Sequence, residues 1–518
     1  MHKRRPIGIL DRVSEPNDRR PRSGRSSDGR AAGDKFTGAR MQRAPITGMR
    51  TFRGARTSRA DSEGRRPSPA MRLQARESPH PEHVPGDPIE AYLAERGDDA
   101  ALGTKTRFVS PFYAPKHASA DLEAFLSAVS ETFPVRESRR GYLKEDVLRL
   151  WRELTSERSE RASDYLGNPS ALMAYVRYFM AWNVVRLVPV LASLPLDLPK
   201  GAKLLDIGSG PLTLPIALWI ARPDLRDRGL RVLCTDRVRR TLESGSAVLD
   251  ALRLKTGGPI LGEGAWKVET HRAVFPEMEG HVKADLVTAA NAFTEIFWSR
   301  AGRRERTLGE RAASLMENLS GACKPGGRIF IAEPGEPRSG AMLSAMREAV
   351  ILSGFSVESP CTHHRACPMA GAFGGMGDRE DGRARSALPP VHSPRWRSKM
   401  PWCHFPVPLD IAPRGLVRFS EEIGLPKDRL TVSWLALRKP ETGETKTEEE
   451  QRGRLRVRLV SDPIRLPGGF EGRYSCSDLG YTLVVGAAAQ EAAGSVLETE
   501  RPAKPVRDDK SGAVLIGP

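Results

Sequence analysis

From about residue 118 to 198, apolar residues recur at spacings of three and four, the period of an amphipathic helix. Two stretches carry this pattern, "DLEAFLSAVSETF" (121–133) and "LKEDVLRLWRELTSER" (143–158). A third, "NPSALMAYVRYFMAWNVVRLVPVLASL" (168–194), is more apolar and aromatic and reads as a buried helix leading into the next domain. Its Tyr175, Tyr178, Phe179 and Trp182 fall at helical spacing, so they read as core rather than as a base-stacking surface. The pattern then changes. Between 199 and 357 short apolar runs, "AKLLDIG", "LRVLCTD", "ADLVTAA" and "GRIFIAEP", alternate with longer amphipathic ones. That alternation predicts parallel βαβ units. "SAMREAVILSGFSVESP" adds a helix and a strand, and a final strand is predicted at 429–438. The last two strands are separated by an insert of roughly 65 residues, too long for a hairpin loop.

The fold class expected is therefore α/β: a helical domain (118–198), a parallel-sheet domain (199–439) with an insert at 361–413, and a charged linker (440–453). A small β module (454–487) follows, and a tail (488–518) is expected to be disordered. Residues 1–117 read as a disordered basic arm and a Pro-rich transition.

Composition sharpens the reading of that arm. Of a net charge of +17, twelve units sit in residues 1–80, where twenty Lys/Arg face eight Asp/Glu. The segment has few large apolar residues and cannot bury enough surface to fold alone. A basic arm of this kind points to nucleic-acid contact. No apolar run is long enough to span a membrane, and the N-terminus lacks the apolar core of a secretory signal. Its Arg- and Ser-rich composition resembles an organellar transit peptide, but the eight acidic residues argue against one. Six cysteines in 518 residues are no disulfide scaffold and fit a reducing compartment.

Candidate chemistry lies in two places. "KLLDIGSGPLTLPIALWIA" is a strand, a tight glycine turn and a helix, with Asp206, Gly208 and Gly210 in the pattern D-x-G-x-G. Glycines let the backbone approach a ligand closely, and the next helix offers its first amides. Twenty-six residues after Gly210 a second strand ends in Asp236, placed to accept ribose hydroxyls. Thr213 stands where a dinucleotide fingerprint needs its third glycine, so the turn suits a ligand with an amino group rather than a pyrophosphate. The second place is "SPCTHHRACPM" (359–369). Cys234 and Cys323 read as small core residues, leaving Cys361, Cys367, Cys403 and Cys476. Four thiolates from separated segments suit structural zinc or an iron–sulfur cluster, with His363, His364 and His404 as alternative ligands or exposed loop residues.

"LLDIGSGP", Asp236, "ADLVTAANAF" and "CKPGGRIFIAEPG" resemble, in order, the motifs of class I S-adenosylmethionine-dependent methyltransferases. The resemblance implies a Rossmann-like sheet. In it Asp206, Gly208 and Gly210 line the methionine part of S-adenosyl-L-methionine, Asp236 holds the ribose, and Asn291 approaches the methyl donor. "PCTHHRACPM" with "PWCHF", and "AYVRYFMAWNVVRL" upstream, resemble a ribosomal small-subunit-associated methyltransferase-like family of mitochondria and bacteria. This covers roughly residues 118–485 and implies a [4Fe-4S] cluster, the small ribosomal subunit and its rRNA as partners, and a role in assembly or translation. Cys361, Cys367 and Cys403 match its signature, and Cys476 is the candidate fourth ligand. The catalytic residues are not evident: "NAFTEIF" replaces the N/D-P-P-Y-like motif of base-amino methylation, no cysteine nucleophile is present, and Glu295 reads as a loop carboxylate. A ribosome-associated monomer in the cytoplasm is expected, or alternatively in the mitochondrial matrix. The competing readings are a tRNA or small-molecule methyltransferase with structural zinc, and a non-enzymatic assembly factor.

Overall fold

The computed structural model describes residues 114–155, 164–276, 282–294, 307–369 (apart from 352), 402–444 and 453–517, with a few positions before 114. The basic arm (1–80), residues 370–401 of the insert and 445–452 of the linker lie outside the described residues, as does Glu295. The described part belongs to one compact unit, Ser78–Pro518.

A short strand, β1 (Arg107–Val109), comes first, followed by α1 (Ala118–Thr132) and α2 (Arg140–Leu154). α1 buries Leu122, Phe125 and Val129, the three-four spacing read from its sequence. The third helical stretch starts where Asn168 caps it, its side chain accepting the Ser170 and Ala171 amides with Pro169 at the first position. It runs as α3 (Pro169–Ala174), a π-helical turn (Tyr175–Met180) and α4 (Ala181–Ser193). Tyr178 and Trp182 are core; Tyr175 and Phe179 are only half-buried, so the expectation holds for two of the four aromatics.

The main sheet contains β2 (Lys203–Ile207), β3 (Arg231–Asp236), β4 (Lys267–Arg272), β5 (Ala284–Ala290), β6 (Cys323–Pro334), β7 (Ser356–Ser359), β8 (Phe405–Val407) and β9 (Leu430–Arg438). Its order is β4-β3-β2-β5-β6-β9-β7, with β8 on the end of β9. The pairs among β4, β3, β2, β5 and β6 are parallel, and β9 runs antiparallel between β6 and β7. This is a class I methyltransferase Rossmann-like sheet, and its order reverses between β2 and β5. Between the strands lie α5 (Thr213–Ala221), α6 (Arg239–Thr256), α7 (Leu308–Ala322) and α8 (Pro337–Ile351); α9 (Arg414–Glu422) precedes β9. Alternation sorts the strand residues to two faces. Leu204, Leu286 and Phe330 join the core beneath α1, α4, α5 and α6, whereas Leu205, Val287 and Ile329 join that of α7 and α8. The edge strand β4 escaped sequence reading because "KVETHR" is almost wholly exposed and has no apolar face.

A second sheet joins β10 (Arg454–Leu459), β11 (Ile464–Arg465), β12 (Glu471–Ser477), β13 (Gly480–Val485), β14 (Val496–Glu500) and β15 (Val514–Ile516), in the order β1-β14-β10-β12-β13-β15. Two expectations are corrected here. The tail 488–518 is not disordered: it supplies β14 and β15, and Val496, Leu497, Val514 and Ile516 are buried. Nor are residues 81–117 a mere transition, since β1 covers the open edge of β14, and Ile89 and Tyr92 are buried against Leu483 and Leu515. The physical reason is the same for both. A hairpin of β12 and β13 cannot stand alone, so its sheet recruits short strands from either side of the larger domain.

Candidate functional site

The carboxyl ends of β2 and β5 flank the point where the strand order reverses, the place where open α/β sheets receive ligands. Three of the five expected donor-site residues come from the turn after β2. Gly208 and Gly210 take left-handed backbone (φ +64° and +52°), which a side chain would strain. A Cβ on Gly208 would sit 2.6 Å from that of Ala292, so the β2 turn and the β5 loop close on each other here. Asp206 ends β2 and is 1% exposed. Its Oδ1 accepts from Thr288 Oγ1 on β5 at 2.7 Å, while Oδ2 is shielded from solvent with no hydrogen-bond partner. Burial pushes this carboxyl up to about 7 against the help of Thr288 and Ser209.

Asp236 ends β3 and receives two backbone amides, Gly210 N on Oδ2 and Val238 N on Oδ1, both at 2.9 Å. It thereby ties the glycine turn to the second strand, and burial lifts its pKa. Each oxygen keeps a second lone pair for another donor. Asn291 is the first residue past β5, held at φ +56° with its amide on Ala332 O at 2.9 Å. The loop behind it is fixed by buried Glu333 at the end of β6, which accepts Phe293 N at 2.8 Å and Thr294 Oγ1 at 2.7 Å. Asp206, Gly208, Gly210, Asp236 and Asn291 thus share one edge of the sheet. Thr288 and Glu333 were not foreseen, and the signal was faint: a threonine and a glutamate at the ends of otherwise apolar strands.

The four remaining cysteines lie in three segments. Cys361 follows β7, Cys367 lies beside Ser344 of α8 (Sγ to Oγ 3.6 Å), Cys403 precedes β8, and Cys476 is in β12 opposite Arg458. They meet electrostatically. Burial raises the Cys403 thiol well above its ordinary value, and Cys361, Cys476 and Cys367 raise it further. Cys476 is raised by burial and then by Cys361 and Cys367. Among the described residues, however, no three His, Cys, Asp or Glu side chains form a group close enough to hold one metal ion. The thiols are neighbours, but not a mononuclear cage.

Two buried arginines face them, one from helix α8 and one from the second sheet, and neither was anticipated. Arg347 of α8 donates to His363 O at 2.9 Å and Arg365 O at 2.7 Å, and its Nε is shielded without an acceptor. Arg458 of β10 donates to Pro360 O at 2.7 Å across the domain boundary, and its pKa is pulled down to about 10 by burial, against the nearby thiols. Thr362 Oγ1 bonds Arg456 O at 3.0 Å, a second link between the cysteine loop and the β module. His363 is buried and pushed to about 3 by desolvation, and His364 Nε2 takes the Val357 amide at 3.0 Å. His404 stacks on Trp402 (centroids 4.5 Å apart) and bonds its carbonyl. Cys234 and Cys323 are core residues.

Residues 171–374 match the family model described as Mitochondrial small ribosomal subunit Rsm22. No curated protein matches the chain. Among solved structures, a methyltransferase from Geobacter sulfurreducens in complex with S-adenosyl-L-homocysteine is 16% identical, over 49% of this chain and 90% of its own, with a TM-score of 0.24. A phosphoethanolamine N-methyltransferase from Haemonchus contortus is 15% identical over 54% of this chain, with a TM-score of 0.27. The chain spans 58% of that enzyme and about half (48%) of a Streptococcus mutans neighbour of the same class. No helix of the described residues is long and apolar enough to cross a membrane.

Proposed function

We propose that this chain, whose residues 171–374 match the Rsm22 family model, binds S-adenosyl-L-methionine at the β2–β5 edge and acts on the small ribosomal subunit and its rRNA. One observation carries the donor reading: the unpartnered Asp206 Oδ2 beneath a glycine turn. A buried carboxylate oxygen without a donor is costly, and the ammonium group of a methionine moiety would supply one. Gly208 and Gly210 leave room for the amino-acid end. Asp236 offers its remaining lone pairs to the ribose hydroxyls, and Asn291 lies where the methyl group would emerge. Glu333 holds the Asn291 loop in place, so the acceptor meets a rigid wall rather than a mobile lid. Among the described residues of this edge none presents itself as a general base, and positioning is the chemistry that these side chains supply.

An iron–sulfur cluster is the reading we carry for the thiol set. What supports it is that Cys361, Cys367, Cys403 and Cys476 lie within electrostatic reach of one another, a thiolate set of the kind that holds such clusters. Arg347 and Arg458 offset the thiolate charge, so burial is tolerable. Cys361, Cys367, Cys403 and Cys476 would hold the cluster, which would supply metal–thiolate bonds joining the two sheets. The cellular setting, cytoplasm or mitochondrial matrix, follows the ribosome concerned, and the basic arm adds sequence-independent attraction for RNA.

The test has separable readouts. Calorimetry with S-adenosyl-L-homocysteine should give saturable binding, iron and sulfide should be present after anaerobic purification, and the protein should cosediment with small subunits. Absence of homocysteine-analogue binding would remove the donor site. Methyl transfer to purified small-subunit RNA would distinguish an enzyme from an assembly factor that keeps the pocket.

A further inference from the structure

The helix from Tyr175 to Ser193 is buried apart from Arg177, its last two residues and one stripe. Tyr175, Phe179, Asn183 and Arg186 are each half-open, at the three-four spacing that places them on a single face. Tyr175 and Phe179 stack on one another, with centroids 6.0 Å apart and planes 25° from parallel. This pair sits in the π-helical turn, a feature that recurs at functional sites because it shifts side chains out of ordinary helical register. Arg186 sends Nη1 to Asn183 Oδ1 at 2.9 Å, while its Nε is shut off from solvent with no acceptor. Burial lowers its pKa to about 10, against Tyr175 and then Glu333, the residue that anchors the Asn291 loop. A second cation stands near. Lys427 lies 5.8 Å over the Tyr178 ring, has no carboxylate partner among the described residues, and repels Arg186.

Core packing explains apolar rings, but it does not explain two cations drawn together beside them, neither of them in an ion pair with a carboxylate among the described residues. The stripe offers a pair of stacked aromatic rings, an amide and a partly exposed guanidinium, which is the complement of a nucleobase followed by a phosphate. We propose that Tyr175, Phe179, Asn183 and Arg186 form the acceptor face, on which a single-stranded nucleotide of RNA stacks with its phosphate on Arg186 and Lys427. The proposal rests on the donor-edge reading for its orientation, because Arg186 interacts with Glu333, which holds the loop that follows Asn291. It is distinct from the basic arm, which can attract RNA but has no fixed surface on which to orient a base.

The test is photocrosslinking of a short single-stranded RNA carrying 5-iodouridine to the full chain with S-adenosyl-L-homocysteine present, followed by peptide mapping. Adducts are expected at Tyr175 or Phe179 in addition to any in residues 1–80. Arg186→Met should lower the adduct yield at those two positions about tenfold while arm adducts stay unchanged, which makes the arm an internal control. Phe179→Leu, which keeps apolar volume, should also deplete the helix adduct, and both variants should bind S-adenosyl-L-homocysteine as the parent does. Adducts confined to the arm would overturn the proposal. So would an Arg186→Met variant that loses affinity for S-adenosyl-L-homocysteine and keeps its helix adduct, because the guanidinium would then serve the carboxylate of the donor. A parent chain that forms the helix adduct but binds no S-adenosyl-L-homocysteine would refute the donor site and leave the acceptor face standing.

Discussion

The donor edge and the thiol site are built in opposite ways. The first takes its glycines and Asp206 from five consecutive residues, and the rest from the ends of neighbouring parallel strands. Local backbone rules place them. The second gathers Cys361, Cys367, Cys403 and Cys476 from three segments that border two sheets, and only tertiary packing brings them together. One site is a property of a turn, whereas the other belongs to the junction of two sheets. The donor edge should therefore survive damage to the junction, and the junction should fail as a unit when any ligand is lost.

Cys476→Ser breaks that comparison most severely. Cys476 is the one thiol supplied by the β module, so its loss should drop iron content to roughly a tenth and loosen 453–517 toward protease, since metal–thiolate bonds contribute directly to folding. S-adenosyl-L-homocysteine affinity should remain as in the parent, and Cys234→Ser should keep the iron. Full iron loading in the Cys476 variant would leave the two sheets joined only by links such as Arg458 to Pro360 O and Thr362 to Arg456 O.

Asp206→Asn comes next, and it should act on function and stability in opposite directions. The folded carboxyl sits at about 7 against an ordinary 3.8, so folding favours the protonated form. At low pH neither state is ionised and nothing is lost. As pH rises from the ordinary carboxylate range to about 7, the unfolded chain ionises and the native one does not, so stability falls; above 7 the loss is constant. The asparagine removes that penalty and should stabilise the unliganded protein at pH 8 by up to about 4 kcal/mol, with little change near pH 3.5. Donor affinity should fall about a hundredfold, or roughly 2.7 kcal/mol, because the ammonium loses a charged acceptor. Calorimetry and thermal unfolding at the two pH values measure both arms.

Legibility in the sequence follows the same divide. β2, β3, β5, β6 and β9 were readable because each is an apolar run bounded by turn residues, and Asp206, Gly208 and Gly210 because a D-x-G-x-G turn has one backbone solution. β4 was not, since "KVETHR" lies at an exposed edge. β1, β14 and β15 were missed for a different reason: three- to five-residue strands carry too little pattern, and their stability comes from pairing with other strands, β1 with β14 hundreds of positions away (Arg107 with Glu498) and β15 with β13 (Val514 with Thr482). Arg347 and Arg458 were invisible because a lone arginine in a helix or strand reads as solvent-facing until its surroundings are known. The aromatic helix shows the limit of periodicity. Spacing says that Tyr175, Tyr178, Phe179 and Trp182 are helical, but burial alone separates the two that are core from the two that are not.

Gly208→Val sharpens the donor edge at a smaller scale. A Cβ there meets Ala292 at 2.6 Å, and φ of +64° is unfavourable for a branched residue. Affinity for S-adenosyl-L-homocysteine should drop at least about tenfold, or roughly 1.4 kcal/mol. Iron content should be unchanged, because no thiol segment touches the turn. Unaltered affinity by calorimetry would dissociate the glycine turn from the donor.

The smallest effect expected is that of Thr288→Val, and it isolates one hydrogen bond. Thr288 Oγ1 donates to Asp206 Oδ1 at 2.7 Å and holds the carboxyl below where burial alone would put it. Valine keeps the volume and the β-strand preference but removes the donor, so Asp206 should ionise only at higher pH. If the ammonium of the donor is received by ionised Asp206, binding releases a proton over the range in which the free carboxyl is still protonated. The pH at which affinity levels off should therefore lie near 7 in the parent and higher in the variant. At pH 7 the variant should bind S-adenosyl-L-homocysteine less than about tenfold more weakly, because one hydrogen bond to a charged group contributes about 1.5 kcal/mol or little more. At pH 9 the two affinities should converge. Calorimetry in buffers of different ionisation enthalpy counts the protons directly. Parallel pH profiles with equal plateaus would mean that Asp206 does not receive the ammonium group, and the donor edge would then owe its selectivity to the backbone of the turn alone.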